Sequence, residues 1–176
     1  MKQWIAAACL AGLMGGACAQ AYVGGTIGQS SFDVSCSFNC ETTDTAIKLY
    51  GGYNLPTKLI PRLAVEVAYV DFGQVSTNGG VGLSATALAV SAAIRYNFTP
   101  VLNAVGRLGL ANVDAKTSAG PFSRSDSGLN LYYGIGLEYS LNKQVKLVGA
   151  LDFTDFDSGS QSGSVHVLSA GAQYSF

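Results

Sequence analysis

The stretch VHVLSAGAQYSF, residues 165–176, alternates between two kinds of side chain up to a final aromatic residue. Taken in steps of two from the end, one set is apolar and consists of Phe176, Tyr174, Ala172, Ala170 and Leu168. The interleaved set is small or polar and consists of Ser175, Gln173, Gly171 and Ser169. Because successive side chains of a β-strand point to opposite faces, this stretch predicts a strand with one apolar face.

The same alternation recurs along the chain and predicts eight strands. They lie near 21–32, 45–55, 62–72, 84–98, 101–113, 129–141, 144–154 and 164–176. Most of them reach the roughly 9–11 residues that a tilted strand needs to cross a membrane, and bacterial single-chain barrels have an even number of strands.

Two kinds of connection alternate between these strands. Short turns are predicted at 56–61, 99–100 and 142–143, and longer loops rich in Ser, Thr, Gly and Asp at 33–44, 73–83, 114–128 and 155–163. Strict alternation places both chain ends on the side of the short turns. This arrangement predicts an up-and-down barrel with four exposed loops at one end.

The first residues predict export. Lys2 precedes an apolar run at 4–14, which is too short for a membrane-spanning helix, and small residues with an Ala-x-Ala pattern follow at 15–19. We expect residues 1–19 to be a cleaved secretory signal peptide and residues 20–176 to form one barrel domain. Lipoprotein processing at Cys18 is the alternative, but Gly15 stands where that reaction needs a large aliphatic residue.

Cys36 and Cys40 remain after this cleavage. In an exported protein they predict a local disulfide, because the periplasm is oxidising. A zinc site is the weaker interpretation, since two cysteines without nearby histidines cannot complete a tetrahedral set of ligands.

The aromatic residues decide which face of the barrel is outside, because a soluble lipocalin-like barrel would also alternate. They cluster near strand ends on the apolar face, as two interfacial girdles would require. The predicted girdle residues are Tyr53, Tyr69, Tyr96, Phe98, Tyr133, Tyr139, Phe153 and Tyr174. The opposite face has too little charge for a surface in water. The sequence therefore predicts an all-β, eight-stranded antiparallel transmembrane barrel in the bacterial outer membrane.

Most strand charges fall on the face of small residues and are predicted to point into the barrel. They are Lys48, Arg62, Glu66, Arg95, Arg107, Glu138, Lys146 and Asp152. Unpaired charges would be costly there, so one hypothesis is an ion-paired network around Glu66, Arg95, Arg107 and Glu138 that fills the lumen. Separately hydrated charges near the barrel mouths are the alternative.

Several segments resemble the OmpA-like outer-membrane barrels: DTAIKLYGGY (44–53), VEVAYVDFG (65–73), GIGLEY (134–139) and the final strand. The resemblance implies that Glu66 and Glu138 are inward glutamates and that Arg107 is an inward arginine of the fifth strand. It also implies an inward arginine in the seventh strand, where this chain has Val148. OmpA continues into a peptidoglycan-binding domain, and we expect no such anchoring here.

The predicted role is structural or interactive at the cell surface. Expected partners are outer-membrane lipid, lipopolysaccharide and the assembly machinery, which would read Phe176 as its signal. The net charge of −1, with 12% charged residues, offers no footprint for nucleic acid. No catalytic residue, cofactor or metal is expected, and the barrel is expected to be a monomer.

Other functions stay open. An adhesin or receptor would act through loops 73–83 and 114–128, on a ligand that the sequence does not name. A low-conductance channel is a further class, whereas eight strands exclude a wide porin. A lipid A-modifying enzyme would need His166, near Ser164 and Ser169. The acidic loop residues could bind divalent ions, or they form a solvated anionic rim.

Overall fold

The computed structural model describes residues 20–33, 43–57, 62–77, 81–119, 122–158 and 161–176. Eight strands account for most of them: β1 (Ala21–Asp33), β2 (Thr43–Asn54), β3 (Leu63–Thr77), β4 (Val81–Asn97), β5 (Leu102–Ala119), β6 (Phe122–Ser140), β7 (Val145–Ser158) and β8 (Gln161–Ser175). The predicted signal peptide and the cysteine pair Cys36 and Cys40 lie outside the described residues. Within that part of the chain, no helix is long and apolar enough to cross a membrane.

The strands form one closed barrel in which each pairs antiparallel with its neighbours in sequence. β1 closes the ring by pairing with β8, from Tyr22 opposite Ser175 to Asp33 opposite Ser164. The backbone N–H of Phe176 also donates to the carbonyl of Ala21 at 3.1 Å. Closure removes the unpaired strand edges that an open sheet would expose. The predicted fold class is confirmed.

Tight turns join strands at one end of the barrel, which we call the turn end. In the β6–β7 turn, Asn142 Oδ1 accepts hydrogen bonds from the backbone N–H groups of Gln144 and Val145 at 2.8 and 2.7 Å. In the β4–β5 turn, Thr99 Oγ1 accepts from the N–H of Leu102 at 3.0 Å. Side-chain acceptors of this kind stabilise short turns.

At the opposite end, which we call the hairpin end, the prediction of long loops is wrong for three connections. Strand pairing continues to Thr77 opposite Val81, Ala119 opposite Phe122 and Ser158 opposite Gln161. The apolar alternation stops earlier, because both faces of a strand can be polar once it leaves the membrane. Backbone pairing does not need that alternation, so the polar segments extend the strands.

A bulge interrupts β3 near the start of its extension. The register shifts between Asp71 and Gln74, and Gly73 has a φ of +82°. That conformation suits glycine, which has no Cβ to clash. The Asp71 side chain accepts a hydrogen bond from the Gly73 N–H at 3.0 Å. Bulges bend a strand and increase its twist, so this one changes the direction of the β3–β4 hairpin.

The two faces of the barrel differ as predicted. Large apolar side chains point outward and are exposed, for example Ile135 at 63% and Leu168 at 65%. Small side chains such as Ala64 and Ala93 point inward and are fully buried. The outward face is therefore the lipid-facing surface, and the interior is packed with small, aromatic and charged residues.

Candidate functional site

The barrel interior is the candidate site, because buried charged side chains converge there. Six of the predicted inward residues are buried, and the side chain of Lys146 is 20% exposed. The six are Lys48, Glu66, Arg95, Arg107, Glu138 and Asp152. Arg62, also predicted to point inward, is instead exposed at the turn before β3, with a φ of 67°. The chain turns at this residue, before β3 begins, so Arg62 does not follow the alternation of the strand.

Five of these residues form an alternating ladder of cations and carboxylates. Arg107 Nε donates to Glu66 Oε2 at 2.6 Å, and Arg95 Nη2 lies 3.2 Å from Glu66 Oε1. Arg95 Nε then donates to Glu138 Oε1 at 2.8 Å, and Lys146 Nζ donates to Glu138 Oε2 at 2.9 Å. We call this set the lumen ladder. It links strands β3, β4, β5, β6 and β7 through side chains alone.

A second group lies beside the ladder. Lys48 forms an ion pair with Asp152, and Tyr132 donates to Asp152 Oδ1 at 2.6 Å. Lys48 Nζ also lies 3.3 Å from the Tyr132 hydroxyl. Because Lys48 is on β2 and Asp152 is on β7, this pair connects two strands that are not neighbours in the sheet.

Three inward tyrosines complete the network, and the sequence analysis missed them. Tyr22 donates to Glu66 Oε1 at 2.7 Å, and its ring lies 4.6 Å from the Arg95 guanidinium carbon. The ring of Tyr50 lies 5.6 Å from both Lys48 Nζ and the Arg107 guanidinium carbon. The alternation of side chains along β2 could have identified Tyr50, because it is two residues from Lys48 and so lies on the same face of the strand.

Inward glycines provide the space for these large side chains. A Cβ on Gly52 would clash with the ring of Tyr22, and one on Gly24 would clash with Tyr50. A Cβ on Gly134 would meet the Asp152 carboxylate. The interior therefore alternates large and small residues across neighbouring strands, as a narrow filled barrel requires.

Val148 occupies the position where the resemblance implies an arginine. It is buried and lies opposite Glu138 in the β6–β7 register. Lys146, two residues earlier on β7, contacts Glu138 instead. The seventh strand thus supplies a cation to the network from a different position.

The predicted girdle residues all lie on the outward face. Three aromatic pairs are in contact there: Tyr96 with Phe98 at 5.3 Å between ring centroids, Tyr174 with Phe176 at 5.2 Å, and Tyr133 with Phe153 at 5.1 Å. The first two pairs are at the turn end. Tyr53, Tyr69 and Tyr139 are the other members of the set, and the last two are about half exposed.

The histidine and serines of β8 lie on two different faces. His166 points outward, where its ring lies 6.3 Å from that of Phe153. Ser169 is buried on the inner face, because it is three positions from His166 and side chains alternate along the strand. The sheet wall therefore separates these two side chains, whereas Ser164 shares the outward face with His166.

The described residues contain no group of three or more His, Cys, Asp or Glu side chains placed to hold a metal ion. The three buried carboxylates of the interior are each engaged by lysine, arginine or tyrosine.

A family model described as the outer membrane protein β-barrel domain matches residues 5–176. The chain belongs to this outer-membrane β-barrel family. It is an integral protein of the bacterial outer membrane, and its apolar outward face contacts the lipid.

Several solved structures have a similar fold. Neisserial surface protein A is 15% identical with a TM-score of 0.71, and the match covers 89% of this chain and 97% of that one. The N-terminal barrel domain of Pseudomonas aeruginosa OprF is 12% identical, with a TM-score of 0.56 and coverages of 88% and 98%. Ail, the attachment invasion locus protein of Yersinia pestis, is 16% identical, with a TM-score of 0.53 and coverages of 88% and 99%. At these identities the likeness shows the shared barrel fold. A search of curated protein sequences found no significant match.

Proposed function

We propose that this outer-membrane barrel has a structural and surface-interaction role and that its lumen is closed by side chains. The observation that carries the proposal is the lumen ladder together with the Lys48–Asp152 pair. An eight-stranded barrel has an interior just wide enough for side chains to fill it. Here that space is crossed by ion pairs that are almost completely buried.

The network also suits a structural role because it connects strands that do not pair through their backbones. Glu66 on β3 contacts Arg107 on β5, and Arg95 on β4 contacts Glu138 on β6. Breaking a buried pair leaves an uncompensated charge, so each member depends on its partner. Such contacts favour a rigid lumen over one that opens readily.

Planar-bilayer recording tests the closed lumen. We expect the wild-type protein to show no sustained conductance steps and the double variant Glu138→Ala/Lys146→Ala to show them, because two side chains that fill the lumen at the turn end are removed. Lys143→Ala, an exposed residue of the β6–β7 turn, is the control and should behave as wild type. Stable steps of equal size in the wild type and the double variant would instead support a channel.

Surface attachment is the second candidate function. It is favoured by the hairpins that continue beyond the apolar surface, in particular β3–β4 and β5–β6. The structural likeness to Ail, the attachment invasion locus protein of Yersinia pestis, is consistent with such a role. The polar connections contain Asp33, Glu41, Asp44, Asp114, Asp126, Asp155 and Asp157 but only Lys116 and Arg124 as bases. This balance disfavours a polyanion as the ligand.

Shortening each hairpin to a two-residue turn tests attachment. Bacteria that express variants lacking residues 76–82 or 117–124 should keep a folded barrel and lose adherence to host-cell surfaces if the hairpins bind. The hairpin β7–β8, shortened in the same way, is the matched control. Unchanged adherence in all three variants would contradict a role in attachment, and only the structural role would remain.

The remaining partners follow from the barrel itself. We infer that the aromatic girdles contact lipid headgroups and lipopolysaccharide, that the assembly machinery recognises the last strand, and that the barrel acts as a monomer without catalytic activity. The placement of His166 and Ser169 on opposite faces supports the last point. Unchanged lipid A acylation on overexpression is the expected result.

A further inference from the structure

Arg107 is the buried end of the lumen ladder, and part of its guanidinium has no hydrogen-bond partner among the described residues. Its Nε donates to Glu66, whereas Nη1 and Nη2 are buried without a hydrogen-bond partner among the described residues. The side chain is only 1% exposed. A guanidinium stays charged and has donors but no acceptor, so unused buried donors are costly.

Positively charged side chains outnumber carboxylates in the interior. Among the described residues, the ladder and the neighbouring pair contain four cations and three carboxylates. Arg95 is paired on both sides, and Lys146, at the other end of the ladder, is partly exposed and reaches water. The ladder therefore holds three cations against two carboxylates, and Arg107 is the cation at its buried end.

A row of small inward residues lies beside this guanidinium. Gly136, Ala150, Ser169 and Gly28 are direct cross-strand neighbours on β6, β7, β8 and β1. Arg107 Nη1 lies 3.3 Å from the point where a Cβ on Gly136 would stand, so the unpaired end of the guanidinium faces the start of the row. No side chain in the row is longer than that of Ser169, so none of them reaches across to the guanidinium.

Two further donors lie in this row or two positions from it. Ser169 Oγ is buried and has no hydrogen-bond partner in the described part of the protein, and the same holds for Thr26 Oγ1. Thr26 is two residues from Gly28 on β1 and therefore points to the same inner face. The unpaired atoms in this region are thus two guanidinium nitrogens and two hydroxyls.

We propose that this part of the lumen binds a small monovalent anion such as chloride. Arg107 Nη1 and Nη2 supply charge and donors, and the hydroxyls of Ser169 and Thr26 donate from the opposite wall. A cation is disfavoured, because the nearest charge is positive and every unpaired atom can donate a hydrogen bond. The anion is small, because the backbone approaches closely here: a Cβ on Gly28 would clash with the Leu168 carbonyl oxygen.

Halide-dependent stability tests the proposal in protein purified from outer membranes in detergent. We expect the thermal unfolding midpoint to rise in a saturable way with sodium bromide, relative to sodium gluconate at equal ionic strength, because a ligand bound to the folded state stabilises it. Ser169→Ala should reduce this bromide-dependent shift by at least half. Ser30→Ala is the control: its hydroxyl donates to the Phe72 carbonyl at 2.7 Å, so its loss lowers stability and leaves the shift unchanged.

Anomalous diffraction from crystals grown in bromide gives an independent measurement. We expect a peak within hydrogen-bond distance of Arg107 Nη1 or Nη2. No peak there, or a bromide-dependent shift that is the same in the wild type, Ser169→Ala and Ser30→Ala, would mean that Arg107 contacts only water. Either result would overturn the proposal without affecting the closed lumen, which the conductance experiment tests separately.

Discussion

Single inward positions in this barrel depend on the residue across the strand pair. Gly52 and Tyr22 are cross-strand neighbours, and the tyrosine ring occupies the space that a Cβ on Gly52 would take. On the outward face, Gly106 has no such neighbour, since a Cβ there would meet nothing within 4 Å. Packing therefore requires glycine at the inward position 52 and does not require it at the outward position 106.

Gly52→Ala should lower the free energy of unfolding by about 1–3 kcal/mol, the usual cost of overpacking, because Tyr22 must move and its hydrogen bond to Glu66 weakens. Gly106→Ala is the matched control and should be neutral or stabilising by less than about 1 kcal/mol. Urea unfolding in lipid vesicles measures both. Equal effects of the two substitutions would contradict the packing described for Tyr22.

Glu66 is the most connected carboxylate of the interior, since Tyr22, Arg95 and Arg107 all contact it. Glu66→Gln should cost about 3–5 kcal/mol of stability, because it leaves two buried guanidinium groups with less compensating charge. Asp114→Asn, an exposed carboxylate on β5, is the control and should change stability by less than about 0.5 kcal/mol.

The double variant Glu66→Gln/Arg107→Ala tests whether the two residues act together. Its effect should be smaller than the sum of the single effects, because the second substitution removes a charge that the first leaves unpaired. Additive single effects in urea unfolding would argue for separately hydrated charges instead of a ladder.

At the scale of elements, the two barrel ends follow different rules. The turn end is built by local side-chain acceptors such as Thr99 and Asn142, and their sequence signal is strong. The hairpin end is built by continued backbone pairing of polar strands, and its sequence signal is weak. This difference explains why the short turns at 99–100 and 142–143 were located correctly, whereas three of the predicted long loops proved to be mostly strand.

Asn142→Ala should destabilise the β6–β7 turn by about 1 kcal/mol, because two backbone N–H groups lose their acceptor. Lys143→Ala, in the same turn, should have little effect, because a lysine side chain has no hydrogen-bond acceptor. The difference between the two urea midpoints measures the contribution of the Asn142 side chain.

At the scale of the whole molecule, ring closure depends on the last strand. Phe176 contacts Tyr174 on the outward face, and its backbone N–H pairs with Ala21 on β1. The second contact lies in the seam that joins the first strand to the last. The seam therefore extends to Phe176, which is also the predicted assembly signal.

Phe176→Ala should reduce the amount of assembled barrel in outer membranes, because it removes an aromatic residue from the closing seam and from the predicted signal. Phe176→Tyr keeps the ring and should assemble normally. Heat-modifiable migration on gels, which separates folded from unfolded barrel, measures the assembled fraction. Normal assembly of Phe176→Ala would contradict the role assigned to this residue.

The sequence alone determined the strand number, the connectivity, the orientation of the two faces and the membrane location. These properties follow from a period of two and from aromatic placement, which are local patterns that each strand displays by itself. The inward direction of Glu66 and Arg107 was predictable for the same reason.

Only the tertiary structure decided which inward side chains meet. Lys48 and Asp152 are 104 residues apart, and their contact depends on barrel closure and strand register. The tyrosines of the interior, the exposed position of Arg62 and the unpaired end of Arg107 were also decided at this level. Alternation fixes the face on which a side chain lies, but the distance across a closed lumen is set by all eight strands together.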